Sequence, residues 1–263
     1  MSFEFSRPLI FVAHPDDETI ACAGLMQRMA ASLVVFATDG APPHYGFERK
    51  FGSLENYSRA RFHEAAQALG QVSNCSLHRL VRAEGSYFVD QHLFQDIPQA
   101  LASLCKIARD FSPDALITHA YEGGHIDHDT CSFIARHAAD ALSLRRFEFP
   151  LYWMDGSGKA TKQTFRDVGD SPTEWRLTEA EVLTKGKMLA EYRTQAGLAA
   201  AFPPATERIR PASRSDFSIA PCPSYSYRSW WSRFWHSRIS ARSVLKKFAQ
   251  FELQTDRTKT SHR

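Results

Sequence analysis

The hexapeptide AHPDDE at residues 13–18 sets an imidazole, His14, beside two adjacent carboxylates, Asp16 and Asp17. These side chains hold divalent cations and move protons. Successive carboxylates in an extended turn point different ways, so one can bind an ion while its neighbour accepts a proton. A second segment, GHIDHD at 124–129, supplies His125, Asp127 and His128. A His/Asp pair from one loop and a His from another give three nitrogen or oxygen ligands and leave a position open, as in a catalytic rather than a structural zinc site. The absence of cysteine among them favours a hydrolytic ion with bound water. Singly, each residue has a plainer reading: Asp16 or Asp17 as a helix N-cap, His125 or His128 as a hydrogen-bonded loop histidine. The conjunction of both motifs, each following an apolar strand, points to a metal site, with Asp127 placed to fix an imidazole tautomer. His44, His63, His78, His92, His119, His137, His236 and His262 lack such company and receive no role.

The elements that must position these groups follow from periodicity. Apolar runs at 8–13, 33–38, 76–80 and 115–119 read as buried strands. Helical patterns at 19–30, 57–69, 94–110 and 130–142 lie between and after them. Such alternation predicts an α/β fold, Rossmann-like, with a mostly parallel sheet flanked by helices on both faces. Both motifs then emerge at the carboxyl edge of the sheet, where open α/β folds bind ligands. The long loop 39–56 leaves the second strand at the same edge and is expected to face a substrate, as is the loop 84–92. A further strand is expected over 147–154, a turn over 155–158 and a helix over 179–192. Arg61 and Glu64, three apart on a helix, read by default as a surface ion pair.

With 263 residues, 43% of them apolar, the chain suffices for one large domain, expected over 1–220, and an extension over 221–263. That extension carries nine Lys/Arg against Glu252 and Asp256, a net +7, so the first 220 residues hold −4 of the chain's +3. The basic balance thus belongs to the tail and does not mark the body as a nucleic-acid binder. In the tail, Trp230, Trp231, Phe234, Trp235, Ile239, Leu245 and Phe248 recur at roughly helical spacing among basic residues. Packing onto the domain and lying on an anionic membrane surface both fit that pattern. Five scattered cysteines without a CxxC pair, and no signal-peptide or membrane-spanning pattern, favour a cytoplasmic protein, with the tail as its one route to the inner membrane face.

AHPDDE and GHIDHD together resemble the PIG-L/LmbE-like deacetylases, zinc-dependent enzymes that remove N-acetyl groups from glucosamine-containing substrates. The likeness runs over about residues 8–217. It includes ATDGA at 37–41, Arg61 and Glu64 with Leu69-Gly70, the stretch 185–195 (KGKMLAEYRTQ) and Asp216-Phe217. The resemblance implies that His14, Asp17 and His128 bind Zn²⁺, Fe²⁺ or another divalent ion, and that Asp16 is the general base. It further implies that His125, protonated, stabilises the oxyanion or acts as leaving-group acid, and that Arg61 contacts substrate. Some relatives carry a carbonyl-polarising tyrosine two residues before the first His of HxDH; Gly123 stands there in this chain, with Tyr121 further off. The implied activity is metal-dependent removal of an N-acetyl group from an N-acetylglucosamine-type small molecule or glycoconjugate. A two-metal phosphoesterase and a non-catalytic protein binding glycans or a membrane surface are the alternatives.

Overall fold

The computed structural model of the chain describes residues 5–155, 159–166, 172–199, 201–202, 205–212, 214–221 and 239–260. Its strands are β1 (Pro8–Val12), β2 (Ser32–Phe36), β3 (Cys75–Arg79), β4 (Ala115–His119), β5 (Arg145–Phe149), β6 (Tyr152–Met154), β7 (Ala160–Lys162), β8 (Thr173–Arg176) and β9 (Thr206–Pro211). The helices are α1 (Asp17–Arg28), α2 (Tyr45–Phe51), α3 (Leu54–Leu69), α4 (Ile97–Phe111), α5 (Ile126–Leu142), α6 (Glu179–Glu191), α7 (Ala196–Ala199) and α8 (Ala241–Thr260).

A seven-stranded sheet in the order β3-β2-β1-β4-β5-β9-β8 forms the middle layer. β1 to β5 are mutually parallel, and β9 and β8 add antiparallel strands at one edge. Side-chain alternation along β1 sends Ile10 and Val12 into one core and Leu9 and Phe11 into the other, which is why the run is apolar throughout. Strand order reverses between β1 and β4, and both motifs leave the sheet there, at its topological switch point.

Several boundaries differ from the sequence reading for local reasons. The loop 39–56 contains α2, closed by Gly52 at φ 81°, and α3 begins at Leu54 because Ser53 Oγ accepts from Asn56 N. α5 begins at Ile126, so Asp127 and His128 stand on its first turn instead of in a loop. The capping group is the His125 ring, outside the usual capping set. Pro150, which has no N–H to donate, separates the expected strand 147–154 into β5 and β6. The turn expected at 155–158 lies largely outside the described residues. β7, β8 and β9 went unforeseen.

The stretch 185–195 is a brace. Lys185 is buried, donates to Ile20 O and pairs with Glu207 at 2.8 Å; Glu207 in turn accepts the backbone N–H groups of Gly24 and Leu25 in α1. Tyr192 O–H donates to Glu18, and Thr194 donates to Glu64, so Glu64 is engaged there and not with Arg61.

In the tail, Val244 and Phe248 of α8 are buried in the second core, Phe248 stacked on Phe133 of α5 at 4.2 Å, while Arg242, Lys246 and Lys247 face outward. The tryptophans at 230, 231 and 235 and Phe234 lie outside the described residues. No helix among the described residues is long and apolar enough to cross a membrane.

Candidate active site

His14, Asp16 and Asp17 follow β1 and are all buried. Asp16 sits before α1 with φ 124° and ψ −30°, a conformation foreign to L-residues, and makes no side-chain capping bond. The strained turn is fixed from both sides. Asp17 Oδ2 accepts from His14 N at 2.8 Å, and Glu18 Oε2 accepts from Asp16 N at 3.1 Å. The plain N-cap reading of Asp16 therefore fails, and its Oδ2 is buried with no hydrogen-bond partner.

His14 stands among carboxylates. Its Nδ1 lies 3.4 Å from Asp17 Oδ2, and its Nε2 lies 3.3 Å from both Asp90 Oδ1 and Asp127 Oδ2. Burial opposes charge on His14, but Asp90, Asp127 and Asp17 outweigh it and hold its pKa well above the usual histidine value. Asp17 Oδ1 lies 3.5 Å from His128 Nε2 and its Oδ2 3.4 Å from His119 Nε2. Burial raises the Asp17 pKa, yet His128, His119 and His14 bring it well below the usual carboxylate range. For His128 burial dominates, with His119 adding to it, and pushes the pKa down to about 3. An ionised Asp17 and a neutral His128 are the protonation states that metal ligation requires, whereas His14, held protonated by its carboxylates, must release a proton to bind an ion.

Three overlapping groups have donor atoms close enough to share one ion: His14, His125 and His128; Asp17, His119 and His128; and His14, Asp90, His125 and Asp127. The unpartnered, buried Nδ1 of His128 and the all-nitrogen-and-oxygen donor set suit a divalent cation. The trio expected from the resemblance, His14, Asp17 and His128, is not one of these groups: Asp17 meets His14 through Oδ2 and His128 through Oδ1, and each of the three falls in a group with other partners. His119, given no role from sequence, belongs to the same cluster. It ends β4 at the sheet edge that carries HxDH, which was the available signal. Its ring stacks on His128 at 4.0 Å, and its Nε2 accepts from Ala13 N at 3.1 Å. Asp90 was also missed, because nothing local distinguishes it; Asp39 of the ATDGA segment brings it in by accepting Asp90 N at 3.0 Å.

His125 is half-buried, its ring edge-on to His14 at 4.5 Å. Desolvation, then His14 and His128, push its pKa down to about 3, a direction opposite to the protonated His125 that the resemblance implies. Its Nδ1 accepts from Asp127 N at 3.2 Å, which leaves Nε2 as the nitrogen that carries hydrogen and can donate. Burial likewise pushes the Asp16 pKa up, to about 8. The Arg61 guanidinium opposes this and Asp17 adds to it.

Arg61 is buried and not at the surface. It donates to Gly40 O and Pro15 O, each at 2.6 Å, and approaches Asp16 Oδ1 at 3.4 Å. It therefore ties the Asp16 turn to the loop after β2. Arg61→Met is expected to lower stability by about 3–5 kcal/mol in urea unfolding, because two buried carbonyls and a carboxylate lose their cationic partner. Arg61→Lys should recover little, since one ammonium cannot reproduce the guanidinium fork. A loss under about 1 kcal/mol for the Met variant would refute this positioning role.

At position 123 the backbone has φ 81°, suited to glycine, and Tyr121 is tied elsewhere through a bond from its hydroxyl to Ile219 O at 2.9 Å. Tyr152, at the start of β6, packs against the cluster. Its ring meets that of His128 at 5.4 Å and 71°. Burial, then Asp17, Asp16, Glu122 and Asp90, raise its pKa well above the usual phenol value.

Residues 9–139 match the PIG-L family, described as GlcNAc-PI de-N-acetylase. A Rhodococcus opacus (strain B4) protein named 1D-myo-inositol 2-acetamido-2-deoxy-alpha-D-glucopyranoside deacetylase is 26% identical over 209 residues, spanning 66% of this chain and 69% of that protein. Among solved structures, a deacetylase triple mutant of the teicoplanin biosynthetic pathway superposes with a TM-score of 0.60 at 17% identity, over 80% of this chain and 100% of that one. The 4-carboxy-2-hydroxymuconate hydratase GalB of Pseudomonas putida KT2440 superposes with a TM-score of 0.50 at 17% identity, over 74% and 80%. The fold by itself therefore does not choose between hydrolysis and hydration. Over residues 9–139, the segment that holds both motifs, this chain thus matches the PIG-L family model.

Proposed function

We propose that this chain is a metal-dependent hydrolase that removes the N-acetyl group from an N-acetylglucosamine-type substrate. The observation that carries the reading is the buried, unpartnered Asp16 Oδ2 immediately beside the His14, Asp17 and His128 cluster. Those three residues would hold the ion, zinc by the chemistry of their donors, with His119 behind them. A divalent ion so held acidifies a bound water towards a pKa of about 7 and polarises the acyl oxygen.

The chain's own groups account for the remaining steps. Asp16 accepts the proton of the attacking water and, once protonated, returns it to the departing amine. Its high pKa suits the second half of that cycle, and the Arg61 guanidinium keeps the ionised form accessible for the first. His125, neutral, donates from Nε2–H to the developing negative charge on the acyl oxygen. The amino-sugar substrate is supported by the family and by the Rhodococcus relative. Among the described residues Cys22, Cys75, Cys105 and Cys131 are free thiols, which supports a reducing compartment such as the cytoplasm.

The test is acetate release from N-acetylglucosamine and from its α-glycoside with inositol, with and without prior chelation, alongside p-nitrophenyl phosphate. The expected result is acetate release that chelation abolishes and Zn²⁺ restores, at one ion per chain. Two ions per chain with phosphate release would instead identify a phosphoesterase.

A further inference from the structure

We propose that Tyr192 is a positioning residue for the general base of this deacetylase: through Glu18 its hydroxyl fixes the peptide unit between Pro15 and Asp16, and with it the direction of the Asp16 carboxylate. The inference rests on the deacetylase reading above. It begins with the backbone at residue 16, whose φ of 124° persists in a residue other than glycine only where the surroundings hold it. Two planar peptide units flank that Cα, and both are held. The unit before it is gripped at its two ends: Arg61 Nη2 donates to Pro15 O at 2.6 Å, and Asp16 N donates to Glu18 Oε2 at 3.1 Å. The unit after it is held at the start of α1, since Asp16 O accepts from Ile20 N at 3.0 Å and Asp17 N donates to His14 O at 3.3 Å. Rotation of the first unit is the route by which residue 16 would leave its strained conformation, and that rotation turns the Cα–Cβ bond from which the carboxylate extends. The Arg61 and Glu18 bonds oppose it.

The stretch 192–195 fixes both jaws of this grip. Glu18 is fully buried; its Oε1 accepts from the hydroxyls of Thr19 and Tyr192 while its Oε2 takes the Asp16 N–H. Thr19 is the next residue and moves with α1. Tyr192 follows α6, its ring fully buried in the core that takes Ile10 and Val12, and so ties Glu18 to a separate element. On the other side, Thr194 N and Oγ1 donate to Glu64 at 3.0 and 2.6 Å, and Gln195 Nε2 donates to the Tyr57 hydroxyl at 2.7 Å. Tyr57 and Glu64 lie on α3, the helix that carries Arg61. One turn therefore sets α1 and α3 on the peptide unit that aims the general base. Packing of the Tyr192 ring would be met equally by phenylalanine, so the separate contribution of the hydroxyl is its bond to Glu18.

Tyr192→Phe keeps the ring and removes that bond. With the N-acetylglucosamine conjugate that the wild type hydrolyses, the expected result is a fall of about tenfold in kcat per bound ion, with KM within about twofold and metal stoichiometry unchanged. A general base displaced by about 1 Å loses turnover and not substrate affinity. The decisive comparison is made in the Asp16→Ala background. With no carboxylate at residue 16 to aim, adding Tyr192→Phe should leave the residual rate within about twofold. A kcat for Tyr192→Phe within about twofold of wild type, a loss that appears in KM or in bound metal, or an equal fall in both backgrounds overturns the proposal and leaves the deacetylase reading standing. A wild-type protein that releases no acetate overturns both.

Discussion

Asp16→Ala will retain metal at the wild-type stoichiometry and lose about a thousandfold in kcat, the scale of a missing general base. The division of labour inside AHPDDE demands this outcome. Asp17 is engaged through both oxygens with His14, His119 and His128, whereas Asp16 contacts a single cation, Arg61, and keeps one oxygen free. Metal analysis and steady-state kinetics on the same preparation decide it; normal turnover, or loss of the ion, would each contradict the assignment. The backbone adds a second readout. Because φ at residue 16 is 124°, Asp16→Gly should unfold at higher denaturant than Asp16→Ala, by about 1–3 kcal/mol, while being equally inactive. Equal stabilities would show that the turn relaxes when the carboxylate is removed.

His128→Ala will lose the ion altogether, and His119→Ala will keep it with affinity weakened by about 10–100-fold. The two rings are stacked and equally buried, so proximity alone does not separate them. Their hydrogen bonds do. His119 Nε2 accepts the N–H of Ala13 and so spends that lone pair holding the end of β1; Nδ1 is without a partner in both rings, and His128 Nε2 faces Asp17 Oδ1 at 3.5 Å. Removing the His119 ring leaves a buried N–H unsatisfied, so a stability loss of about 1–3 kcal/mol should accompany the weaker binding. Chelator competition on both variants is the measurement. If His119→Ala proved as metal-free as His128→Ala, His119 would be a ligand in its own right.

The difference between these two histidines marks where sequence reasoning stops. The three motif histidines and both aspartates of AHPDDE could be singled out because they are packed into short segments that follow apolar strands. Such segments have one exit, the carboxyl edge of a parallel sheet. His119 stood in the sequence as the last residue of a strand. Its value depends on the register that sets β4 beside β1, a pairing between residues about a hundred apart. Asp90 had no local signal, since it is held in place by Asp39 from another loop. Arg61 reads as a surface residue from helix spacing, and burial reverses that reading because two backbone carbonyls from separate loops converge on its guanidinium.

By itself the sequence determined the architecture and the chemical inventory. Strand and helix periods are local properties of a few consecutive residues, and the same is true of the crowding of His and Asp into two short motifs. The tertiary structure decided environment and partnership: that burial beside His14 and His128 disfavours charge on His125, whose Nδ1 accepts from Asp127 N, that Asp16 and not Asp17 keeps an unpartnered oxygen, and that Glu122 and Gly124 hold the backbone of Tyr152 against the loop before α5. These outcomes depend on desolvation and on contacts between distant segments. Both are set by which surfaces the folded chain brings together, and neither is written in the spacing of residues along it.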